Sequence, residues 1–120
     1  MCISRQRTDR AQKHGVMNKE EAQLKLVREP FALGYYRHHK GGAYVVFSVT
    51  VHEATGEVLI HYFSVLKHTR WTRSRKVFQE FVVKPILRFT WWRPASREEL
   101  FAAAAGGPEE LRRVFGDAAG

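Results

Sequence analysis

The sequence predicts an α+β protein: a largely antiparallel β core at about 34–92, framed by an N-terminal helix and two C-terminal helices. Three observations predict it. From Ala43 to Val51 the odd positions Ala43, Val45, Phe47, Val49 and Val51 are all apolar, while Ser48, Thr50 and His52 fall on even ones. That is the period-two signature of a strand with one core face. A second run rich in β-branched and aromatic residues, Glu57 to Leu66, follows across the turn Glu53-Ala54-Thr55-Gly56. Beyond Pro94, Ser96 with Glu99 three residues later forms a capping box, and Gly106-Gly107 ends the helix it opens near Ala105.

The remaining elements follow in chain order. Residues 1–16 are polar, basic and aperiodic, and read as a flexible basic arm, leaving 17–120 as a single domain. Asn18 with Glu21 is a capping pattern for a helix through about Glu29, which Pro30 stops. Gly34 to Gly42 is a segment of aromatic, basic and glycine residues, closed by a turn at Gly41-Gly42. With Glu53 to Gly56 as the loop, the hairpin register places Val51 opposite Val58, Val49 opposite Ile60, Ser48 opposite His61 and Phe47 opposite Tyr62. Trp71-Thr72-Arg73 reads as a short strand. Ser74 to Val82 reads as a short helix with Ser74 as its cap and Val77, Phe78 and Phe81 on one side. Ile86 to Trp92 reads as the last strand. Pro108 suits a first helical turn, so Glu109 to Phe115 closes the chain as a helix.

Charge points to the partner. The chain carries 20 Lys+Arg against 12 Asp+Glu, a net +8. Residues 30–89 alone hold nine basic and three acidic groups. A basic excess on a folded β platform is a footprint for phosphate contacts, and it also keeps a small protein dispersed. The single cysteine, Cys2, excludes an intramolecular disulfide framework and a multi-cysteine zinc site. No apolar run approaches the ~18 residues of a membrane span, and the first ten residues lack the apolar stretch of a secretory signal. The expected location is cytoplasmic, with no membrane partner.

Several motifs in the middle of the chain stand in a recognisable order. They are Tyr36-Arg37-His38-His39-Lys40-Gly41, His52-Glu53-Ala54-Thr55-Gly56-Glu57, Trp71-Thr72-Arg73-Ser74, Val77-Phe78-Gln79-Glu80-Phe81-Val82 and Arg88-Phe89. From about Tyr35 to Phe89 the chain resembles a small bacterial family of unknown function recognised by a Y-R-H-Y-K-G signature. His39 stands where that family usually has an aromatic, and Ser74 where it has a proline. The resemblance implies a small, strongly bent, SH3-like antiparallel β-barrel, and it implies no activity.

Two segments carry the chemistry of an anion site. Tyr36, Arg37, His38, His39 and Lys40 set an aromatic ring beside cations ahead of the Gly-Gly turn, with Tyr36, Arg37 and Lys40 as the ligand contacts, an arrangement suited to bases and phosphates. The bland alternative packs Tyr35 or Tyr36 in the core and leaves Arg37 and Lys40 solvated. Lys67, Arg70, Trp71, Arg73, Arg75 and Lys76 crowd cations around a tryptophan, as one rim of a groove would, or else form a solvated loop with Trp71 in the core. Tyr36 and Trp71 are the stacking candidates. Phe89, Trp91 and Trp92 read as core, with Trp92 covered by a C-terminal helix. His52 and Glu57 read as a surface cross-strand pair. The adjacent histidines lack a third ligand, no catalytic motif is present, and the few carboxylates of the β region cannot build paired-acid chemistry. The expectation is therefore a non-enzymatic module without cofactor or metal, binding nucleic acid or another phosphorylated ligand. The alternative is a protein-interaction module with an acidic partner, such as a phage or mobile-element inhibitor of a bacterial complex.

Overall fold

The central hairpin forms where the period-two pattern places it. The computed structural model describes residues 19–119, so the expected arm and Cys2 lie outside the described residues. Along the chain the elements are α1 (Lys19–Arg28), β1 (Gly34–His38), β2 (Ala43–Val51), β3 (Val58–Ser64), β4 (Thr69–Ser74) and α2 (Arg75–Phe78). Then come β5 (Phe81–Val83), β6 (Ile86–Leu87), β7 (Phe89–Arg93), α3 (Arg97–Ala105) and α4 (Pro108–Phe115). A five-stranded antiparallel sheet runs β4-β3-β2-β1-β7, and β5 and β6 form a separate two-stranded ribbon.

The register of β2 and β3 holds from Val51–Val58 to Ser48–His61. A bulge at Phe47 then moves it by one residue, so Tyr62 stands opposite Val46 rather than Phe47. The bulge adds local twist and lets β2 serve two cores. Val45 and Val46, adjacent in sequence, are both fully buried. The expectation of a single core face on this strand is therefore corrected: the sheet is covered on both sides.

On one side, Tyr35, Val45 and Phe63 pack against Ala102 and Ala103 of α3 and Leu111 of α4. The small alanines let the helix approach the strands closely. On the other, Tyr36, Val46, Ile60 and Tyr62 surround Phe78 and Phe89, with Phe31 packed against them. Phe78 follows β4 and Phe89 opens β7, the two edges of the sheet, yet their rings stack at 4.1 Å and 2°. The sheet thus curls around this second aromatic core.

Local signals explain most boundaries. Ser96 Oγ accepts from the Glu99 backbone N–H (3.0 Å) and Glu99 Oε1 accepts from the Ser96 N–H (2.8 Å), completing the capping box of α3. Glu99 also accepts from the Tyr35 hydroxyl, tying the cap to β1. Burial opposes ionisation of Glu99, but the hydrogen bonds from Ser96 and Tyr35 hold its carboxyl below the usual 4.5. Two expectations change. The helix after Ser74 is a single turn, and Phe81 enters β5 instead, where Val82 and Val83 favour extended backbone. The expected last strand divides at Arg88 into β6 and β7.

Candidate anion-binding surface

Two of the arginines expected in a groove are occupied elsewhere. Arg70 turns its guanidinium to the C-terminal end of α3. It donates from Nε to the Ala103 carbonyl (2.7 Å) and from Nη2 to those of Ala102 (3.2 Å) and Gly106 (2.9 Å). The last turn of α3 has no basic residue of its own, so its carbonyl end draws a donor from β4. Arg75 does the same for α1: Nη1 donates to the Glu29 carbonyl at 3.0 Å, and the guanidinium lies 5.4 Å from the centre of the Phe31 ring. Both cations hold helices on the sheet, a structural role in place of the groove contacts expected of them.

Tyr36 is corrected too. Its ring is buried, stacked on Phe31, with Phe78 and Trp91 set edge-to-face against it, and its hydroxyl donates to the Ala32 carbonyl at 2.8 Å. Burial pushes its pKa up to about 12. No face remains for a base. Arg37, Lys40, Lys67, Trp71 and Lys76 are exposed, and Arg73 is half-buried.

Arg73 meets residues that sequence distance had hidden. Its Nε donates to the Tyr62 hydroxyl at 2.9 Å, and its guanidinium stands 5.9 Å from the Phe89 ring centre. Phe89 also contacts His38 (5.0 Å), Tyr44 (5.5 Å) and Tyr62 (5.4 Å). Beside it, Arg88 Nη2 pairs with Glu80 Oε1 at 2.8 Å, while Arg88 Nε and His39 Nδ1 are enclosed without a hydrogen-bond partner. Three separated segments, β1, β4 and the β6–β7 junction, therefore bring His38, Arg73 and Arg88 together around Tyr44, Tyr62 and Phe89. The electrostatics register this. Burial, and then the positive charges of His39, Arg73, Arg88 and Lys40, hold His38 below its usual 6.5. Burial raises the Tyr62 pKa against the pull of Arg73 and Arg88. An anion placed here would relieve repulsion among cations.

Sequence reasoning set His38 beside Tyr36, Arg37 and Lys40 without giving it a ligand role, and it missed Arg88. The signal was present, since both stand in the ordered motifs of the middle segment. Residues 34–91 match the model of a family described as "Protein of unknown function (DUF1653)". This segment is a DUF1653 domain. A crystal structure of a DUF1653 protein from Bordetella bronchiseptica is similar to the chain, with 24% identity and a TM-score of 0.49 over 57% of this chain and 95% of that one. No curated protein matches the chain. The DUF1653 segment runs from β1 into β7, so it contains the whole cationic group and excludes α1, α3 and α4.

The tryptophans of the DUF1653 segment and its end are not core. Trp71, Trp91 and Trp92 are 52%, 44% and 41% exposed. Trp92 packs edge-to-face on Tyr35 and stays partly in solvent instead of lying enclosed beneath a C-terminal helix. The Arg37 guanidinium lies 4.0 Å from its ring centre and that of Arg93 lies 4.8 Å away. The other histidines are accounted for locally. His52 Nδ1 accepts the N–H groups of Ala54 (3.2 Å) and Thr55 (3.3 Å) in the hairpin turn, so its ring serves the turn. His61 bridges the hydroxyls of Thr50 (2.7 Å) and Thr72 (3.1 Å) across three strands. Among the described residues, no three His, Cys, Asp or Glu side chains form a cluster fit for a metal, and no helix is long and apolar enough to cross a membrane.

Proposed function

We propose that the protein is a non-enzymatic basic module that binds a phosphate-bearing ligand, with nucleic acid first among them, at His38, Lys40, Arg73 and Arg88. One observation carries this: cations from three segments converge on an aromatic wall, and burial together with their repulsion depresses His38. Arginine matches a phosphate with its planar fork, and aromatic surface beside it suits a nucleoside or base. Lys67, Lys76 and Arg37 add exposed positive charge that steers a polyanion to the surface. The reading includes the SH3-like barrel, which the Phe78–Phe89 stack between the two sheet edges supports. A cytoplasmic location fits it, because the ligands are there.

The test is fluorescence anisotropy with labelled DNA and RNA, titrated across salt. The wild-type protein binds with a steep dependence on salt. Arg73→Gln combined with Arg88→Gln weakens binding and lowers the slope by about one for each phosphate no longer neutralised. Unchanged affinity and slope in the double variant, or binding that vanishes near physiological salt, would remove the site.

The β5–β6 ribbon favours a second reading, a protein-interaction module of the kind a phage or mobile-element inhibitor uses. Phe81, Val82, Val83 and Ile86 are all exposed there, and an apolar patch of this sort marks protein contacts. A stoichiometric complex that survives nuclease treatment would support it.

A further inference from the structure

We infer that the ligand of this surface is a single-stranded nucleic acid whose unstacked bases rest on exposed tryptophans, an inference that rests on the phosphate reading above. The chain has three tryptophans, and all three remain between 41% and 52% exposed. The core is filled instead by tyrosine and phenylalanine: Tyr35, Tyr36, Tyr62, Phe63, Phe78 and Phe89 are buried. Tryptophan has the largest surface to bury, so leaving every one of them half in water forgoes stabilisation.

Their places make sense as stacking platforms. Trp71 stands opposite Tyr62 in the β3–β4 register, so it shares the face of Arg73 two residues on. At the other edge of the sheet, Trp91 shares its face with Phe89 and so with the His38 group. Its indole fills the space over Gly34, where a Cβ would meet Cη2 and Cζ3 at 3.0 Å. Trp92 points to the opposite face with the Arg37 guanidinium on its ring, and a planar guanidinium is itself a surface on which a base stacks. Trp71 and Trp91 thus share a sheet face with an arginine or the cationic group, and Trp92 carries a guanidinium on its ring. Aromatic platforms beside cations take bases that are free of their neighbours. A duplex keeps its bases stacked inside and offers only phosphate.

The experiment compares four labelled 12-mers of equal length with the full chain: single-stranded DNA, single-stranded RNA, the matched DNA duplex, and an abasic sugar–phosphate strand. The expected result is that the base-bearing single strands bind at least tenfold more tightly than the abasic strand and the duplex, and quench tryptophan fluorescence as they do. Trp71→Ala and Trp91→Ala each lower single-strand affinity by roughly 5- to 150-fold, the range for one lost stacked base. They leave abasic binding unchanged, and Trp71→Phe restores most of the loss. Trp71 stacks on no other ring among the described residues, so it gives a reading even if Trp91→Ala weakens the fold. Equal binding of abasic and base-bearing strands with a steep salt slope would overturn the stacking inference and leave the phosphate reading standing. Preference for the duplex would overturn the single-strand assignment. Failure of all four to bind would sink both.

Discussion

Replacing Arg70 separates an architectural cation from a ligand-binding one. Its guanidinium makes three hydrogen bonds to the carbonyls of Ala102, Ala103 and Gly106. A hydrogen bond from a charged donor contributes about 1.5–3 kcal/mol in a buried site. Solvent reaches this side chain, so a discounted figure of about 1 kcal/mol for each is appropriate. A cation at a helix C-terminus adds roughly 0.3–1 kcal/mol. The Ala102 carbonyl keeps a partner in the Gly106 N–H at 2.8 Å, which lowers the loss at that atom. Arg70→Ala should therefore destabilise the fold by about 3 kcal/mol, or roughly 10 °C in melting temperature for a domain of this size. Arg70→Lys keeps the charge but loses the fork, and should fall between the two. Urea melts followed by circular dichroism read the stability, and the salt titration of nucleic-acid affinity is run on the same samples. The expected pattern is a large loss of stability for Arg70→Ala, an intermediate loss for Arg70→Lys, and an unchanged salt slope for Arg70→Lys. A variant that melts like the wild type while its salt slope flattens would return Arg70 to the ligand surface and refute the clamp.

Four further perturbations follow from the same geometry. Arg75→Ala removes the donor to the Glu29 carbonyl and should cost about 1 kcal/mol, read as loss of α1 protection in hydrogen exchange. Gly34→Ala introduces a Cβ 2.8 Å from the Arg93 carbonyl oxygen at a φ of +145°, and should lower stability by about 2–4 kcal/mol in a denaturant melt. Tyr35 and Tyr36 have pKa values raised to about 12 from 10.0, chiefly by burial. Their stabilising effect is complete below pH 10 and is lost as the pH rises through 12, so alkaline unfolding should track phenolate absorbance. His38 works in the opposite direction on binding. An anion favours its charged form, so affinity for a phosphate-bearing ligand should rise as the pH falls through the His38 pKa, which burial and neighbouring cations hold below the usual 6.5, and His38→Gln should abolish that rise.

Short-range patterns in the sequence were readable, and long-range ones were not. The β2–β3 hairpin needs only alternation and a four-residue turn, and its register holds through Ser48–His61. The bulge at Phe47 arises because β2 faces aromatic packing on one side and two helices on the other, and no neighbouring residue marks it. β1 lacks alternation for the same reason: Gly34, Tyr35 and Tyr36 are all buried, so the period-two signal is absent where both faces are covered. The spacing of Val77, Phe78 and Phe81 suggested one helix, but Phe81 ends half-exposed in β5. The capping box of α3 was legible to the residue because its partners are three apart. Arg70 was not, because its acceptors lie more than thirty residues downstream.

The two clamps also bear on what the DUF1653 segment needs in order to fold. Arg70 and Arg75 lie inside residues 34–91, and the helix ends they hold, those of α3 and α1, lie outside. Val45 and Phe63 are fully buried within the segment's own strands, yet Ala102, Ala103 and Leu111 from beyond it pack against that cluster. Stripping α3 and α4 would open a face lined by Tyr35, Val45 and Phe63 and release a guanidinium from its acceptors. The flanking helices are thus one side of the core rather than attachments to a finished domain. Local cation density misled for this reason: Arg70 and Arg75 are half of the four arginines from Lys67 through Arg88, and helix carbonyls claim both. Arg73 and Arg88 with His38 converge instead from segments far apart in sequence, with Arg88 already paired to Glu80 and Arg73 to the Tyr62 hydroxyl, and that convergence supports the proposed binding surface.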